Sequence, residues 1–330
     1  MWHHDLMWHY KMRYVMKQVF LVFLLAFGFV AGAQNVTVRK PKKQKPATTQ
    51  VTPKKERASK QRKVQSKKDK VDNHPKKEEV DNYSKKAKVD ISPTIGKANY
   101  TPNVKTFYAN GVSFEMVEVR GGTFRMGATS EQEVSEAYSK EMSVHSVTLN
   151  SYYIGKTEVT QALWKAVMGS NPSYSKGDNL PVEYVSWNDC QAFIRKLNDL
   201  TGQNFRLPTE AEWEFACRGG NNSRGYKYSG SNYIDNVAWY DGNSGHPVAT
   251  KLPNELGIYD MSGNVYEWCS DWYGGYTSGA QTNPKGPYDG SDRVCRGGNW
   301  FGLSVSCRSS ARSHDSPDKR TYCCGLRLSL

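Results

Sequence analysis

Apolar residues along this chain change their spacing several times, and each spacing predicts an element. Val19 to Val30 is an almost continuous apolar run behind Lys17, closed by the small residues Ala31-Gly32-Ala33. About a dozen residues is short for a bilayer span, and the arrangement has the form of a secretory signal over 1–33, cut after Ala33, with Met16 the more natural start. From 34 to 100 large apolar residues almost vanish and no period is visible. Such a stretch buries too little surface to offset chain entropy and is expected to be a disordered linker. From 101 to 330 the apolar and aromatic residues return, enough for one single-core domain.

Three helices can be placed in that domain. Thr160 can cap a short one ending at Met168 before Gly169-Ser170-Asn171-Pro172. Ser186 and Asp189 bracket the next start, after which Cys190, Phe193, Ile194, Leu197 and Leu200 recur at helical spacing until Thr201-Gly202. Thr209 with Glu212 forms a capping box for a helix ending near Cys217. Glu210, Glu212 and Glu214 lie in its first turns, where carboxylates favour the dipole, a structural use. Phe114 to Val119 alternates as a strand, Gly121-Gly122 turns, and Thr123 to Met126 is expected to continue as a hairpin. Val147 to Ile154 is one further strand. From Gly219 to Gly290 the chain is rich in Gly, Ser, Asn and Tyr without a period, and a long irregular stretch inside a domain is usually functional or pinned by ligands.

Charge changes the picture only when it is divided. Residues 34–100 hold 20 Lys/Arg against 7 Asp/Glu, whereas 101–330 hold 22 against 24. The basicity of the mature protein therefore sits in the linker, as a solvated spacer or an attachment to anionic envelope polymer. With an exported chain, nucleic acid is not an expected partner, and the location is periplasmic or secreted. All seven cysteines (Cys190, Cys217, Cys269, Cys295, Cys307, Cys323, Cys324) lie in the domain, and in an exported protein they are expected to pair with one left over.

Four blocks carry the chemistry: Arg206 to Gly220 (RLPTEAEWEFACRGG), Asp260 to Trp268 (DMSGNVYEW), Arg293 to Trp300 (RVCRGGNW) and Gly325-Leu326-Arg327-Leu328. In this order they resemble the formylglycine-generating-enzyme, or sulfatase-modifying-factor, domain over roughly Phe114 to Leu328. The resemblance implies an α+β, C-type-lectin-like fold with little regular structure, supported by calcium and disulfides. Asp260-x-x-Gly263-x-Val265-x-Glu267 supplies a carboxylate at each end of a turn, which suits a hard cation. In the resembling family this loop binds structural calcium, which maps onto Asp260, Gly263, Val265 and Glu267. A second family calcium site would begin at Asn236-Val237, but its acidic loop is shortened here to Asp241 to His246.

Family oxidases hold Cu(I) between two cysteines five residues apart, downstream of the Gly-Gly pair. Counted from Gly297-Gly298, the second falls on Cys307 and the first on Gly302, so only Cys307 could serve an oxidase and copper is not expected. The iron branch needs clustered histidines, and His145, His246 and His314 are scattered, each expected at the surface. No activated Ser motif, phosphate loop or HExxH is present. By analogy with the family, Cys217 pairs with Cys307, Cys269 with Cys295, and Cys190 with Cys323 or Cys324.

The variable proteins of diversity-generating retroelements share this fold and bind ligands through C-terminal positions. Comparable positions here are Trp300, Phe301, Leu303, Val305, His314, Asp315 and Tyr322, with Trp300 and Phe301 alternatively core. The expected function is an exported, non-catalytic binding or envelope-associated protein that takes a protein or glycan ligand. The alternatives are a formylglycine-generating oxidase acting on exported sulfatases, and a variable lectin-like ligand binder.

Overall fold

A computed structural model describes residues 101–133 and 143–330; the signal segment 1–33 and the linker 34–100 lie outside the described residues. The strands are β1 (Val104–Ala109), β2 (Val112–Val119), β3 (Gly122–Met126), β4 (His145–Leu149), β5 (Tyr152–Gly155), β6 (Tyr266–Trp272), β7 (Gln281–Thr282), β8 (Arg293–Arg296), β9 (Arg312–Asp315) and β10 (Cys324–Leu326). They form three small sheets, ordered β1-β2-β5, β3-β4-β7 and β10-β6-β8-β9. Among the described residues no helix is long and apolar enough to cross a membrane.

The three helices start where their caps place them. Helix α1 (Gln161–Met168) is capped by the Thr160 side chain and stopped by Gly169 at φ 78°. Helix α2 (Trp187–Thr201) has a full Ser186–Asp189 capping box and ends on Gly202, again left-handed. Helix α3 (Glu210–Cys217) has the Thr209–Glu212 box, and every one of its residues is buried. Its three glutamates each bond to arginines: Glu210 to Arg296 and Arg312, Glu214 to Arg296 and Arg218, and Glu212 to the exposed Arg206.

Two strand expectations need correction. β2 and β3 do not make a hairpin, and Val147 to Ile154 is two strands rather than one. β2 pairs antiparallel with β1 and β5, whereas β3 pairs with β4. Both connections change sheets at one crossing. A Cβ on Gly121 would lie 2.5 Å from the Leu149 carbonyl oxygen, and the Gly121 amide donates to Ser151 Oγ at 2.9 Å. The glycine is there to let two chain segments pass. The real hairpin is one step earlier, where Asn110 (φ 46°) and Gly111 (φ 83°) make a two-residue turn between β1 and β2. Positive φ at both positions is what such a turn requires.

The four-stranded sheet divides the core. Trp268 lies opposite Cys295 in register and Cys324 opposite Tyr266, so these side chains share one face. That face packs on α1 and α2, where Trp164 and Phe193 stack at 4.8 Å. Cys269 and Val294, one residue out of phase, point into a second cluster built on Trp213 and Phe215 of α3.

The irregular 219–290 stretch is pinned by a buried amide. Asn254 Nδ2 donates to Ala216 O (2.8 Å) and Ser229 Oγ (3.1 Å), and its Oδ1 accepts from Leu256 N (2.9 Å) and Ile258 N (3.2 Å). Four polar links through one side chain give this loop a fixed geometry.

Candidate functional site

The Asp260–Glu267 loop turns as its residues dictate. Asp260 (φ 58°), Gly263 (φ 84°) and Asn264 (φ 55°) are all left-handed, and a Cβ on Gly263 would fall 2.3 Å from Trp239 O. Asp260 and Glu267 are both buried, and Glu158, from the segment before α1, is buried with them. Glu158 accepts from Asn264 Nδ2 (3.0 Å) and Val265 N (3.2 Å). One buried cation, Arg327, faces the three carboxylates. It takes Glu267 with Nε at 2.9–3.0 Å and Nη2 at 2.7 Å, while Trp213 Nε1 donates to the same carboxylate at 2.7 Å.

The site thus carries more negative charge than Arg327 balances. Burial, with the charges of Asp260 and Glu267 added, holds the Glu158 carboxyl well above the usual range. Burial also pushes Asp260 up to about 6, against the Ala249 amide and Arg327, which favour its ionised form. Oxygen donors in negative excess are what calcium seeks, and Asp260 fits that use. Glu267 does not, because Arg327 and Trp213 occupy both its oxygens. Among the described residues no three acidic, His or Cys side chains converge as a ready metal cage.

The second expected calcium position is lined by donors. Asn236 O accepts from Leu252 N at 2.9 Å, and Lys251 Nζ donates to Asp235 O at 2.6 Å. Lys251 and Leu252 thus take the Asp235 and Asn236 carbonyls, while the Asp235 carboxylate accepts from Tyr240 Oη at 2.8 Å.

Cys307 is fully buried, and burial pushes its thiol up to about 12. It packs on the backbone of Gly298, where a Cβ would lie 2.6 Å from its sulfur. Five residues earlier Gly302 closes a turn, its amide donating to Asn299 Oδ1 at 2.8 Å. One protonated, buried thiol and a glycine do not fit a two-thiolate copper site.

The seven cysteines stand unbonded in this structure, and their neighbours bear on each expected pair. Cys217 lies against Ser309, two positions past Cys307, and its sulfur contacts Met261 O at 3.7 Å. Cys269 and Cys295 point to opposite faces of the sheet, so the pleat keeps them from bonding. Cys190 shares a cluster with Cys324, but the sulfur at 3.9 Å from Cys324 is that of Cys295. Cys323 instead contacts Thr321 Oγ1.

The expected ligand-binding residues fall into two separate groups. Tyr322 is 53% exposed, and its ring stacks on Tyr184 at 4.9 Å and meets Tyr174 edge-on at 5.1 Å. Trp300 Nε1 donates to Tyr322 O at 3.4 Å, and Trp300 packs on Phe301 at 5.7 Å. Trp300 is itself buried, a floor rather than a contact, whereas Leu303 is exposed and Val305 half-buried. His314 is elsewhere, on β9. It stacks on Tyr273 at 3.9 Å and bonds to Asp292 at 2.7 Å, while Asp315 pairs in register with Arg293.

Each histidine meets a different ring: His145 meets Tyr276, His246 meets Trp239 and His314 meets Tyr273. His145 is buried rather than at the surface. Dispersed in this way, they form no iron site.

Sequence reasoning missed Tyr174 and Tyr184. Tyr184 stands at φ 62°, an uncommon backbone for a bulky residue, held by its amide bond to Thr321 O at 3.0 Å. No local pattern marks it. It also missed Glu158, which adjoins the Thr160 cap and could have been noticed there.

Residues 103–329 match the sulfatase-modifying factor enzyme 1-like domain. The chain belongs to that family. Among relatives of this sulfatase-modifying-factor protein, a chaperone protein LppX of Paenibacillus barcinonensis is 37% identical over 242 residues, covering 57% of this chain and 79% of the relative. The formylglycine-generating enzyme of Mus musculus is 36% identical over 206 residues, 52% of this chain and 53% of the enzyme. The sulfatase-modifying-factor chain therefore spans about half the length of that enzyme. Among solved structures, Treponema denticola variable protein 1 superposes with a TM-score of 0.62 at 34% identity, over 70% of this chain and 99% of that one. PvdO from Pseudomonas aeruginosa gives 0.58 at 25% identity, over 70% and 98%.

Proposed function

We propose that this sulfatase-modifying-factor protein is an exported, non-catalytic binding protein that presents an aromatic face to a protein or glycan ligand. The observation that carries the reading is the pair Gly302 and Cys307. The position where an oxidase needs its first thiolate has no side chain, and the second is buried and protonated.

The binding half of the reading rests on Tyr174, Tyr184 and Tyr322, whose rings meet beside the C-terminal end of the 297–323 segment. Stacked, partly exposed tyrosines offer large contact area at low entropy cost, as binding surfaces use them. Similarity to proteins named a variable protein and a chaperone supports binding over turnover. Export follows from the 1–33 pattern, and attachment to anionic envelope polymer from the basic 34–100 linker. Calcium held at Asp260, with oxygens of the same loop, supplies a structural charge and no chemistry.

The test has two arms. Full-length protein loaded with copper under mild reductant should leave a Cys-X-Pro-X-Arg peptide unmodified by mass spectrometry. Aldehyde formation above a Cys307→Ser control would overturn the non-catalytic reading. Capture of envelope proteins or glycans by the wild type should fall at least tenfold in Tyr174→Ala/Tyr322→Ala, and equal capture would overturn the assignment of the face.

A further inference from the structure

We infer that the Tyr174–Tyr184–Tyr322 face, read above as a binding surface, takes a lysine side chain of a protein partner, with the buried carboxylate of Glu183 as its counter-charge. Glu183 is 5% exposed. Its Oε1 accepts from the Tyr174 amide and, at 3.0 Å, from the Ser175 amide, while its own amide donates to Ser173 Oγ at 3.0 Å. Its Oε2 is buried and has no hydrogen-bond partner among the described residues. Glu210, Glu214 and Glu267 are as deeply buried, and each is held by an arginine. Glu183 is not. A desolvated carboxylate oxygen without a donor is costly, and here it stands where a ligand could bring the missing charge.

The carboxylate sits among the segments that carry the three tyrosines. It bonds to the backbone of Tyr174, immediately precedes Tyr184 in the chain, and its charge reaches the Cys323 thiol next to Tyr322. The Tyr184 amide donates to Thr321 O at 3.0 Å, which ties this segment to the C-terminal foot of the 297–323 segment, where Tyr322 stands. The Tyr184 and Tyr322 rings stack at 4.9 Å with 15° between their planes, so a ligand lies against their outward surfaces and not between them. Tyr174 and Tyr322 are each about half exposed, with Glu183 buried behind them. Aromatic faces attract cations, and an unpaired carboxylate behind them acts in the same direction across a poorly polarisable wall.

The depth of Glu183 selects the form of the cation. Its free oxygen is closed to solvent, so the partner's charge has to be carried along the rings. Lysine does this with an apolar four-carbon stem that packs on the tyrosines and a compact ammonium at its end. An amino sugar bears its amine on a hydroxylated ring and has no such stem. Burial pushes Glu183 up to about 7, against the Ser175 amide and the Lys176 charge. The titratable groups that face it are Lys176, from its own loop, and Cys323, whose buried thiol is raised to about 12 and stays neutral. An arriving cation favours the ionised carboxylate, so lysine should bind more tightly as pH rises from 5 through 7 and level off above it.

The experiment is an NMR titration of full-length protein with 13C-labelled tyrosine, the ring signals being assigned by their loss in Tyr174→Phe and Tyr322→Phe. The probes are Nα-acetyl-lysine methylamide, its norleucine counterpart and glucosamine. At pH 8 the lysine probe should shift both signals and bind at least about tenfold more tightly than the other two. Its affinity should fall about tenfold on going to pH 5, and by the same factor at pH 8 in Glu183→Gln, which keeps an acceptor for the two amides and loses only the charge. Lys176→Met removes a repelling charge without touching Glu183, and should tighten lysine binding. Equal affinity for the lysine and norleucine probes, a wild type indifferent to pH, or an unaltered Glu183→Gln would overturn the inference and leave the tyrosines as a binding face of other specificity. Tighter binding of glucosamine would overturn it in favour of a glycan. Absence of any shift with all three probes would overturn it as well, and only unchanged capture by Tyr174→Ala/Tyr322→Ala would remove the binding face itself.

Discussion

Asp271 offers the most direct test of the buried electrostatics. Its side chain is 3% exposed. Its Oδ2 accepts from the Glu210 amide at 3.0 Å and from Ser270 Oγ at 2.9 Å. Burial first, and the Glu210 charge second, push this carboxyl from an ordinary 3.8 up to about 7. A carboxylic acid raised on folding is stable when protonated. Its contribution is fully present below about pH 4 and is lost as pH rises through 7, because the unfolded chain releases the proton earlier. Between pH 5 and pH 8 the loss is about two pH units at ~1.36 kcal/mol each, or ~3 kcal/mol, with little further change above pH 8.

Asp271→Asn keeps an oxygen for the Glu210 amide and has no proton to lose. Urea unfolding of both proteins at pH 5, 6, 7 and 8 reads the effect as a difference. Glu183, raised to about 7, and Asp260, raised to about 6, titrate in the same window in both proteins and cancel. The variant should gain ~3 kcal/mol on the wild type from pH 5 to pH 8. Parallel stability curves would refute the buried, protonated state of Asp271.

Added calcium should raise the melting temperature and chelation lower it, through preferential binding to the folded loop. Asp260→Asn should abolish the response, and a melt indifferent to both would remove calcium from this protein. Arg327→Leu should cost about 3–5 kcal/mol in chemical unfolding, since it leaves Glu267 buried and unpaired; a loss below 1 kcal/mol would count against the pairing. Proteolysis should remove the basic linker and leave a fragment starting near Thr101 with an unchanged melting temperature. A linker that resists cleavage would refute its expected disorder.

Where the sequence carries a local chemical reason, the fold was readable from it. Thr160, Ser186 and Thr209 place the three helix starts because a side-chain cap acts within three residues. The strands were harder because pairing is decided at a distance. Nothing in Gly121-Gly122 or Asn150-Ser151 states that both segments change sheets, since the cause is the close passage of Gly121 by Leu149 O. The Asn110-Gly111 turn was readable and overlooked. At the site, the loop around Asp260 follows from its spacing, whereas the capture of Glu267 by Arg327 joins residues 60 apart. The Cys269–Cys295 expectation meets a similar obstacle. Family analogy supplied Cys269–Cys295, and a one-residue phase along β6 sends those side chains to opposite faces.

The charged pairs also bear on how far the 297–323 segment could change without loss of the fold. Arg296 ends β8 immediately before Gly297-Gly298, is fully buried, and bonds to Glu214 and to the carbonyls of Ser309 and Ser310. Arg312 holds Glu210 at 2.6–2.7 Å from within the segment. Arg327 follows β10 and holds Glu267. Both feet are thus fixed by guanidinium–carboxylate contacts whose carboxylates come from α3 and β6, outside the segment. Truncating Tyr322 or Leu303 removes none of these bonds, so exposed positions between the feet can change at little cost in stability. Such an arrangement favours a binding surface. An oxidase would need reactive thiolates accessible within this segment, and the sulfur that it holds at Cys307 is packed against Gly298 instead.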